Sequence, residues 1–169
     1  MANTRNKITI ENLEPTSIFA KNFKGAATKF RPAGTRSFCL WLDQEQAELL
    51  LNDGWNVKFA TPRYDEDEPP RAYLEIAVNY ENVPPKIVLI NRHYKKVLDE
   101  DTAYMVDSVQ IESADVRISP YHWEVNGKSG IKAYLDSMYI VLVDDPLEDK
   151  YADIPYSSEK SFMSGEDEG

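Results

Sequence analysis

The chain has 169 residues, a net charge of −10, and 42% hydrophobic and 11% aromatic residues. A chain of this length and composition can bury one sizeable hydrophobic core, but it is too short for two well-packed domains. Its first ten residues include no apolar run, and no later stretch approaches the roughly 20 apolar residues of a membrane span, so we expect neither a signal peptide nor a membrane protein. A single cysteine, Cys39, excludes an internal disulfide and a thiolate metal cluster. We therefore expect a reducing, cytoplasmic environment.

The charge is unevenly distributed along the chain. Residues 1–36 contain seven Lys/Arg and two Asp/Glu, whereas residues 144–169 contain two Lys/Arg and nine Asp/Glu. An acidic protein is repelled by DNA at long range, so any nucleic-acid surface must be a local basic groove. Low hydrophobicity and high charge near the end predict a globular domain at residues 1–143 and an acidic flexible tail at residues 144–169.

The first predicted elements are strand pieces at residues 7–10 and 17–19 around a turn at Glu14 and Pro15. Two strands joined by a basic loop come next. Strand-like runs at residues 18–23 and 35–42 flank residues 24–32, in which Gly25 and Pro32 accompany small and basic residues. Such a loop between two strands is well suited to contact a phosphate backbone.

A short helix follows the second of these strands. Asp43 is an N-cap candidate, Gln46 stands at the third helical position, and Gly54 ends the run. Ala47 and Leu50 have the spacing of an apolar helical face.

The rest of the domain is predicted to be mainly β. An acidic turn at residues 64–70 and an Asn126-Gly127 turn separate strand-like runs rich in Val, Ile, Phe and Tyr. These predicted strands are residues 55–60, 72–80, 86–90, 109–119 and 131–143. Without alternating helices, this pattern favours a small β-barrel with one short helix over a parallel α/β sheet.

Cations and aromatic residues alternate in the N-terminal region, in a pattern typical of single-strand binding. Cations contact phosphates, and aromatic faces stack on bases whatever their sequence. Five cations between residues 21 and 36 have no acid among them. The candidate nucleic-acid-binding residues here are Lys21, Phe23, Lys24, Lys29, Phe30, Arg31, Arg36 and Trp41.

Not all the aromatic residues of this region can contact a base, because alternate residues of a strand face opposite sides. Phe38 and Trp41 therefore lie on opposite faces of their strand. Phe23 and Phe30 adjoin the basic loop and are favoured, whereas Trp55 follows a helix end and is expected in the core. Candidates with weaker support are Tyr121, His122, Trp123, Lys128, Lys132 and Tyr134.

A second basic segment has the same chemistry. Arg92, Tyr94 and Lys95 are additional candidates for contact with nucleic acid at the rim of a groove. The alternative is a solvated turn before the acidic residues 99–101.

No catalytic or metal-binding motif stands out. His93 and His122 each lack a second His or Cys at ligand spacing, which argues against zinc. No phosphate-binding Gly-rich loop and no Gly-x-Ser-x-Gly turn is present. Carboxylate clusters at residues 65–68, 99–101 and 144–149 are the only basis for a magnesium-dependent nuclease, and such runs are generally solvated. We expect no enzyme activity, no cofactor and no metal.

Several motifs resemble a group of tailed-phage proteins described as single-stranded DNA-binding. These motifs are residues 22–25, 34–38, 53–58 and 128–135, together with Ala47, Leu50, Leu51, Met138 and Tyr139. The resemblance spans roughly residues 18–143. It implies an OB-fold, a five-stranded Greek-key barrel with a nucleic-acid groove, and a role in phage DNA replication or recombination in the host cell cytoplasm.

The tail has a resemblance of its own. Asp153, Ile154, Pro155 and Tyr156 are similar to the Asp-Ile-Pro-Phe terminus with which bacterial single-strand-binding proteins recruit replication and repair partners. In that family the aromatic residue is last, whereas thirteen residues follow Tyr156 here. The alternative is an acidic tail that competes with DNA for the basic groove.

Single-stranded DNA is therefore the expected partner, bound largely without sequence preference. The alternative function is a protein-interaction module or DNA mimic that uses the acidic surface. Replication or recombination proteins are possible partners of the tail, and the sequence leaves a monomer and a dimer open.

Overall fold

A computed structural model describes residues 6–61, 67–81, 83–155 and 157. Short 3₁₀ turns precede β2, at Pro15–Ser17, and β8, at Ala103–Asp107. The nine strands are β1 (Ile8–Leu13), β2 (Ile18–Asn22), β3 (Arg36–Trp41), β4 (Val57–Ala60), β5 (Arg71–Val78), β6 (Lys86–Ile90), β7 (Lys95–Leu98), β8 (Ile111–Val125) and β9 (Lys128–Leu142). The helices are α1 (Gln44–Asp53) and α2 (Pro146–Lys150).

The nine strands form one sheet, in which six follow the order β1-β8-β9-β5-β3-β2. β4 pairs with β5, and β6 joins β7 to β9. This mainly β architecture confirms the predicted fold class and is consistent with an OB-like fold. Two details differ from a wholly antiparallel barrel: the sheet is not closed, and β5 and β6 both run parallel to β9.

The predicted helix is confirmed by its capping interactions. Asp43 Oδ1 accepts a hydrogen bond from the Gln46 amide at 2.7 Å, and Gln46 Oε1 accepts one from the Asp43 amide at 3.1 Å. Gly54 ends the helix in the left-handed region, at φ 97°. Ala47 and Leu50 are the buried residues of α1, as their spacing predicts.

The long β8–β9 hairpin contains the last two predicted strands. It turns at Asn126 and Gly127, both with positive φ, as the Asn-Gly sequence predicts. The strands are longer than expected, because Tyr121 to Trp123 belong to β8 and pair with β9 instead of forming a connection.

Each central strand has one core face and one opposite face. In β5, the side chains of Ala72, Leu74, Ile76 and Val78 are buried and alternate with partly or fully exposed ones. We call the side of β2, β3, β4, β5, β8 and β9 that points away from this core the outer face.

Two elements were not predicted. β7 occupies a segment interpreted as part of a basic turn, and α2 makes a second helix where only one was expected. α2 lies within the segment predicted as tail, and the domain boundary at residue 144 stays a prediction. Residues 158–169 lie outside the described part of the chain. No described helix has the length and apolar character needed to cross a membrane.

Candidate nucleic-acid interface

The basic loop was predicted at residues 24–32 and extends to residue 35 in the structure, where β3 begins at Arg36. Its backbone is anchored where the loop begins. Asp107 accepts hydrogen bonds from the backbone amides of Phe23 and Lys24, at 2.8 and 3.0 Å. The ends of the loop also meet, since the Gly34 amide donates to the Gly25 carbonyl at 2.7 Å. The loop therefore has a defined position relative to β2 and β3.

Arg31 connects the basic loop to the outer face of the sheet. Its Nη2 donates to both carboxylate oxygens of Glu75, at 2.7 and 2.6 Å, and its Nη1 donates to Ser37 Oγ at 3.1 Å. Lys58 Nζ lies 3.8 Å from the same Glu75 carboxylate. Two cations thus meet one anion at the middle of the outer face.

An aromatic cluster lies beside this charged group. The rings of Phe19 and Trp41 stack with centroids 4.1 Å apart, and Tyr73 contacts both edge-on at 5.5 and 5.8 Å. All three side chains are partly exposed. The Arg71 guanidinium lies 4.4 Å from the centroid of the Trp41 ring, within cation–π distance. The predicted residue Trp41 is therefore part of a preformed aromatic surface flanked by positive charge.

The tip of the basic loop carries the most exposed predicted aromatic residue. Phe30 is 87% exposed, and Lys29 Nζ lies 6.0 Å from the centroid of its ring. Lys24 is also exposed. Because Arg31, the next residue, is bound to the outer face, Phe30 lies next to that face.

Phe23 requires a correction. It was expected to contact bases because it adjoins the basic loop, but its side chain is fully buried. Its ring stacks on Phe38 with centroids 5.1 Å apart. A bulge between Phe19 and Asn22 in the pairing of β2 with β3 shifts the alternation of side chains along β2. Phe23 is therefore a core residue.

Two further predicted cations already have partners within the fold. Lys21 Nζ donates to the Val106 carbonyl at 3.0 Å. Arg36 lies 3.4 Å from Glu100 and 5.1 Å from the Tyr80 ring, with only 18% of its side chain exposed. Both residues face the segment that follows β7 rather than the outer face.

The second basic segment is not brought together with the basic loop. It forms the β6–β7 turn and the start of β7, where Tyr94 and Lys95 are exposed. Ile90, which ends β6 just before this turn, pairs with Val141 of β9. β5, which carries part of the Trp41 cluster, pairs with β9 at Tyr134, seven residues earlier. The predicted cations therefore occupy two separate places on the sheet.

The start of the acidic tail contacts this second segment. Arg92 Nη1 lies 3.1 Å from Asp149 Oδ2, and His93 Nε2 lies 2.9 Å from Asp149 Oδ1. The hydrogen bond with His93, assisted by the Arg92 charge, lowers the pKa of Asp149 below its usual value. α2 thus places a carboxylate against two residues of the basic turn.

The predicted partner motif is only partly within the described residues. Asp153, Ile154 and Pro155 are exposed, and Ile154 is 66% exposed. Tyr156 lies outside the described residues. The recruiting role of this motif stays a prediction.

The outer face also contains the chain's one thiol. Cys39 is the register partner of Glu75. Burial raises the pKa of Cys39 to about 11, and the Glu75 charge adds to this increase, while Lys58 and Arg31 oppose it. The thiol is therefore protonated at neutral pH.

Sequence reasoning missed three residues of this surface, namely Lys58, Arg71 and Tyr73. For Arg71 and Tyr73 the sequence signal was the period-2 alternation of β5, which places them, with Glu75, on the face opposite the buried residues. The register then brings Tyr73 beside both Trp41 and Lys58. Among the described residues, no group of three or more His, Cys, Asp or Glu could hold a metal ion.

Comparisons with known proteins identify the family of the chain. A family model described as a phage ssDNA-binding domain matches residues 2–169. No curated protein matches the chain. Among solved structures, the single-stranded DNA-binding protein of bacteriophage Enc34 in complex with ssDNA is 14% identical, with 83% of this chain and 88% of that chain covered and a TM-score of 0.49. The single-stranded DNA-binding protein gp2.5 of bacteriophage T7 is 14% identical, with 91% and 97% covered and a TM-score of 0.38.

The family match covers nearly the whole chain, including the basic loop, the outer face and the acidic tail. The chain therefore belongs to the family of phage ssDNA-binding domains.

Proposed function

We propose that this protein binds single-stranded DNA through the outer face of its sheet and the basic loop, largely without sequence preference and without catalysis. The observation that carries this proposal is the partly exposed cluster of Phe19, Trp41 and Tyr73, with Arg71 against the Trp41 ring. Phage DNA replication or recombination, in the host cytoplasm, is the process in which such binding would act.

The cluster is suited to bases because its rings are already held in place. Phe19 and Trp41 stack on each other, and Tyr73 supports both. Phe19 covers one face of the Trp41 ring and Arg71 lies over the ring as well, so a base would stack on Trp41 by displacing Arg71 towards a phosphate, and such a stacking contact is worth about 1–3 kcal/mol. Little side-chain entropy is lost on binding, since the rings are ordered beforehand. Every base has a π-face, so this contact tolerates any sequence.

The charges around the cluster are suited to a phosphate backbone. Lys24 and Lys29 are exposed on the basic loop, while Arg31 and Lys58 meet at Glu75. A DNA phosphate would compete with the Glu75 carboxylate for these two cations, because both anions accept hydrogen bonds from a guanidinium in the same way. Binding through these cations would release counterions and weaken as salt rises.

The remaining predicted binding residues lie outside the Trp41 cluster, and we propose a smaller contribution for them. Lys21 and Arg36 are held by partners within the fold, so their contribution would be long-range attraction. Arg92, Tyr94 and Lys95 would contact DNA only if the strand extends to the β6–β7 turn. Asp149 would compete with DNA phosphates for that turn, because it already forms an ion pair with Arg92. The acidic tail would in this way weaken DNA binding at the β6–β7 turn.

The exposed residues Asp153, Ile154 and Pro155, with Tyr156, are proposed to recruit a replication or recombination protein. The observation in favour is Ile154, an apolar side chain that is 66% exposed within an acidic segment. Removal of residues 153–156 should then abolish pull-down of such a protein while ssDNA affinity is retained.

The central test is fluorescence anisotropy of a labelled oligo-dT of about 30 nucleotides, longer than the ~4–16 nucleotides that one OB-fold covers, at low and moderate salt. Duplex DNA of equal length is titrated in parallel. We expect single-strand binding that exceeds duplex binding and weakens as salt rises. If no binding occurs at low salt, the proposal fails, and a protein-interaction module or DNA mimic becomes the better interpretation.

A matched pair of variants tests the surface itself. Trp41→Ala should weaken oligo-dT binding about 10-fold or more, as expected for one lost stacking contact. Phe59→Ala is the control, because Phe59 is 53% exposed on β4 and pairs with Ala72, a residue on the core side of β5. Equal effects of the two substitutions would contradict the assignment of the outer face.

A further inference from the structure

Tyr121 and Tyr134 form a second aromatic pair on the β8–β9 hairpin. Their ring centroids are 5.3 Å apart with the planes tilted by 33°. Tyr121 is 51% exposed, and Tyr134 is partly exposed. Neither ring belongs to the hydrophobic core, so packing of the core does not explain the pair.

The register of the sheet places this pair on the outer face. Ser37 of β3 pairs with Ala77 of β5, Ala77 pairs with Tyr134 of β9, and Tyr134 pairs with Ser119 of β8. Side chains in one such row point to the same side of a sheet. Between the Trp41 cluster and the tyrosine pair lie Glu75 and Ser37, the two residues that hold Arg31, so a strand that contacts both aromatic groups would cross the Arg31 guanidinium.

The surroundings of the pair are suited to an unpaired nucleotide. Lys132 Nζ lies 5.4 Å from the centroid of the Tyr134 ring, where its charge can reach a neighbouring phosphate. A cavity of about 370 Å³ beside the two rings is bordered also by Leu135, Val83, Asn79 and Ser119 and by the ion pair of Lys7 with Asp136. This volume is within the range of small-molecule sites, and such sites are mostly apolar with a few polar groups.

We propose that Tyr121 and Tyr134 form a second base-stacking site for the same DNA strand, with Lys132 as its phosphate contact. This inference rests on the proposed function, because the strand must first occupy the Trp41 cluster. Tyr73 and Ala77 are four residues apart on β5, which is about 13 Å along a strand. About 2 nucleotides, a single step of a strand whose rise in the duplex is roughly 3.4 Å, cannot span this distance, so the second site should lengthen the bound segment of DNA and add nothing to the binding of so short an oligonucleotide.

The test compares the double variant Tyr121→Ala/Tyr134→Ala with the wild-type protein on oligo-dT of about 2, 15 and 30 nucleotides, a range around the ~4–16 nucleotides covered by an OB-fold. We expect a loss of about 10-fold or more on the longer oligonucleotides. Affinity for the shortest should remain within about 2-fold. The conservative variant Tyr121→Phe/Tyr134→Phe should bind like the wild type, since stacking requires the ring and not the hydroxyl.

Tyr139→Ala is the matched control. Tyr139 is five residues beyond Tyr134 on β9, where β9 pairs with β6 and not with β5. Lys86 Nζ lies 5.6 Å from the centroid of its ring, so the substitution removes a similar tyrosine–lysine pair away from the proposed path of the DNA. The inference is overturned if the double Ala variant binds long oligonucleotides as the wild type or the control does, or if it loses affinity equally at every length. If the wild-type protein binds oligo-dT of no length, the proposed function itself has failed.

Discussion

Arg31 and Glu75 are 44 residues apart in the chain, yet Arg31 Nη2 donates to both Glu75 carboxylate oxygens, at 2.7 and 2.6 Å. This contact holds the basic loop against the outer face of the sheet. It also means that Arg31, one cation of the proposed interface, is already paired with an internal anion. DNA binding would therefore exchange one anionic partner of Arg31 for another.

Glu75→Gln should strengthen binding of oligo-dT and make its salt dependence steeper. The substitution removes the anion that competes with phosphate, and one more cation would then release a counterion, which raises the slope of log affinity against log salt by about 1. Anisotropy titrations at several salt concentrations measure both quantities. Glu112→Gln, an equal charge change at an exposed position of β8, is the control. Affinity that falls, or that merely matches the control, would refute the exchange.

Phe23→Ala should lower the stability of the fold, whereas Phe30→Ala should lower DNA affinity, although both residues adjoin the basic loop. Phe23 is fully buried, so its removal should lower the free energy of unfolding by about 3–5 kcal/mol. Phe30 is 87% exposed, so its removal should leave stability within about 0.5 kcal/mol and weaken DNA binding by about 1–3 kcal/mol. Urea unfolding and anisotropy separate the two effects. A stable Phe23→Ala protein would contradict the core assignment.

Asp149→Asn should raise oligo-dT affinity by about 2- to 5-fold, the scale of one surface ion pair. The substitution removes the charge that pairs with Arg92. Asp153→Asn, with the same change of charge at an exposed tail position, is the control. Equal increases in both variants would show that the tail acts through its net charge and not through this contact.

The same contact has a defined pH dependence. His93, assisted by Arg92, lowers the pKa of Asp149 below 3.8 in the folded protein. A lowered carboxyl pKa stabilises the folded contact at pH values above 3.8, and this stabilisation is lost as the pH falls through the lowered pKa. An NMR titration of the Asp149 carboxyl should give a midpoint below 3.8, and a midpoint at or above that value would argue against the contact.

Cys39 should react very slowly with thiol reagents in the folded protein. With a pKa of about 11, its thiolate fraction at pH 8 is about 100-fold lower than that of a thiol with a pKa of 9.0, and burial restricts access further. Reaction with iodoacetamide in buffer and in denaturant measures the ratio. The folded rate should keep rising between pH 10 and pH 11, where a thiol with a pKa of 9.0 has already nearly levelled off. Similar rates in both conditions would contradict the burial of Cys39.

Local sequence patterns predicted most of the elements. The helix was predictable because Asp43, Gln46 and Gly54 act within one or two turns of it, and the Asn126-Gly127 turn because its backbone conformation is a property of two residues. β7 was missed because it is a four-residue strand of mixed composition, which only its pairing with β6 stabilises.

The sequence by itself determined that cations and aromatic residues alternate near the N-terminus, that the chain is mainly β, and where the chain turns, because composition, side-chain alternation and capping are local. Only the tertiary structure decided that Phe23 is buried while Phe30 is exposed, that Arg31 faces Glu75, and that Tyr73 joins the Trp41 cluster. These outcomes depend on a bulge in β2 and on the register between distant strands. A shift of one residue in register turns every side chain of a strand to the opposite face.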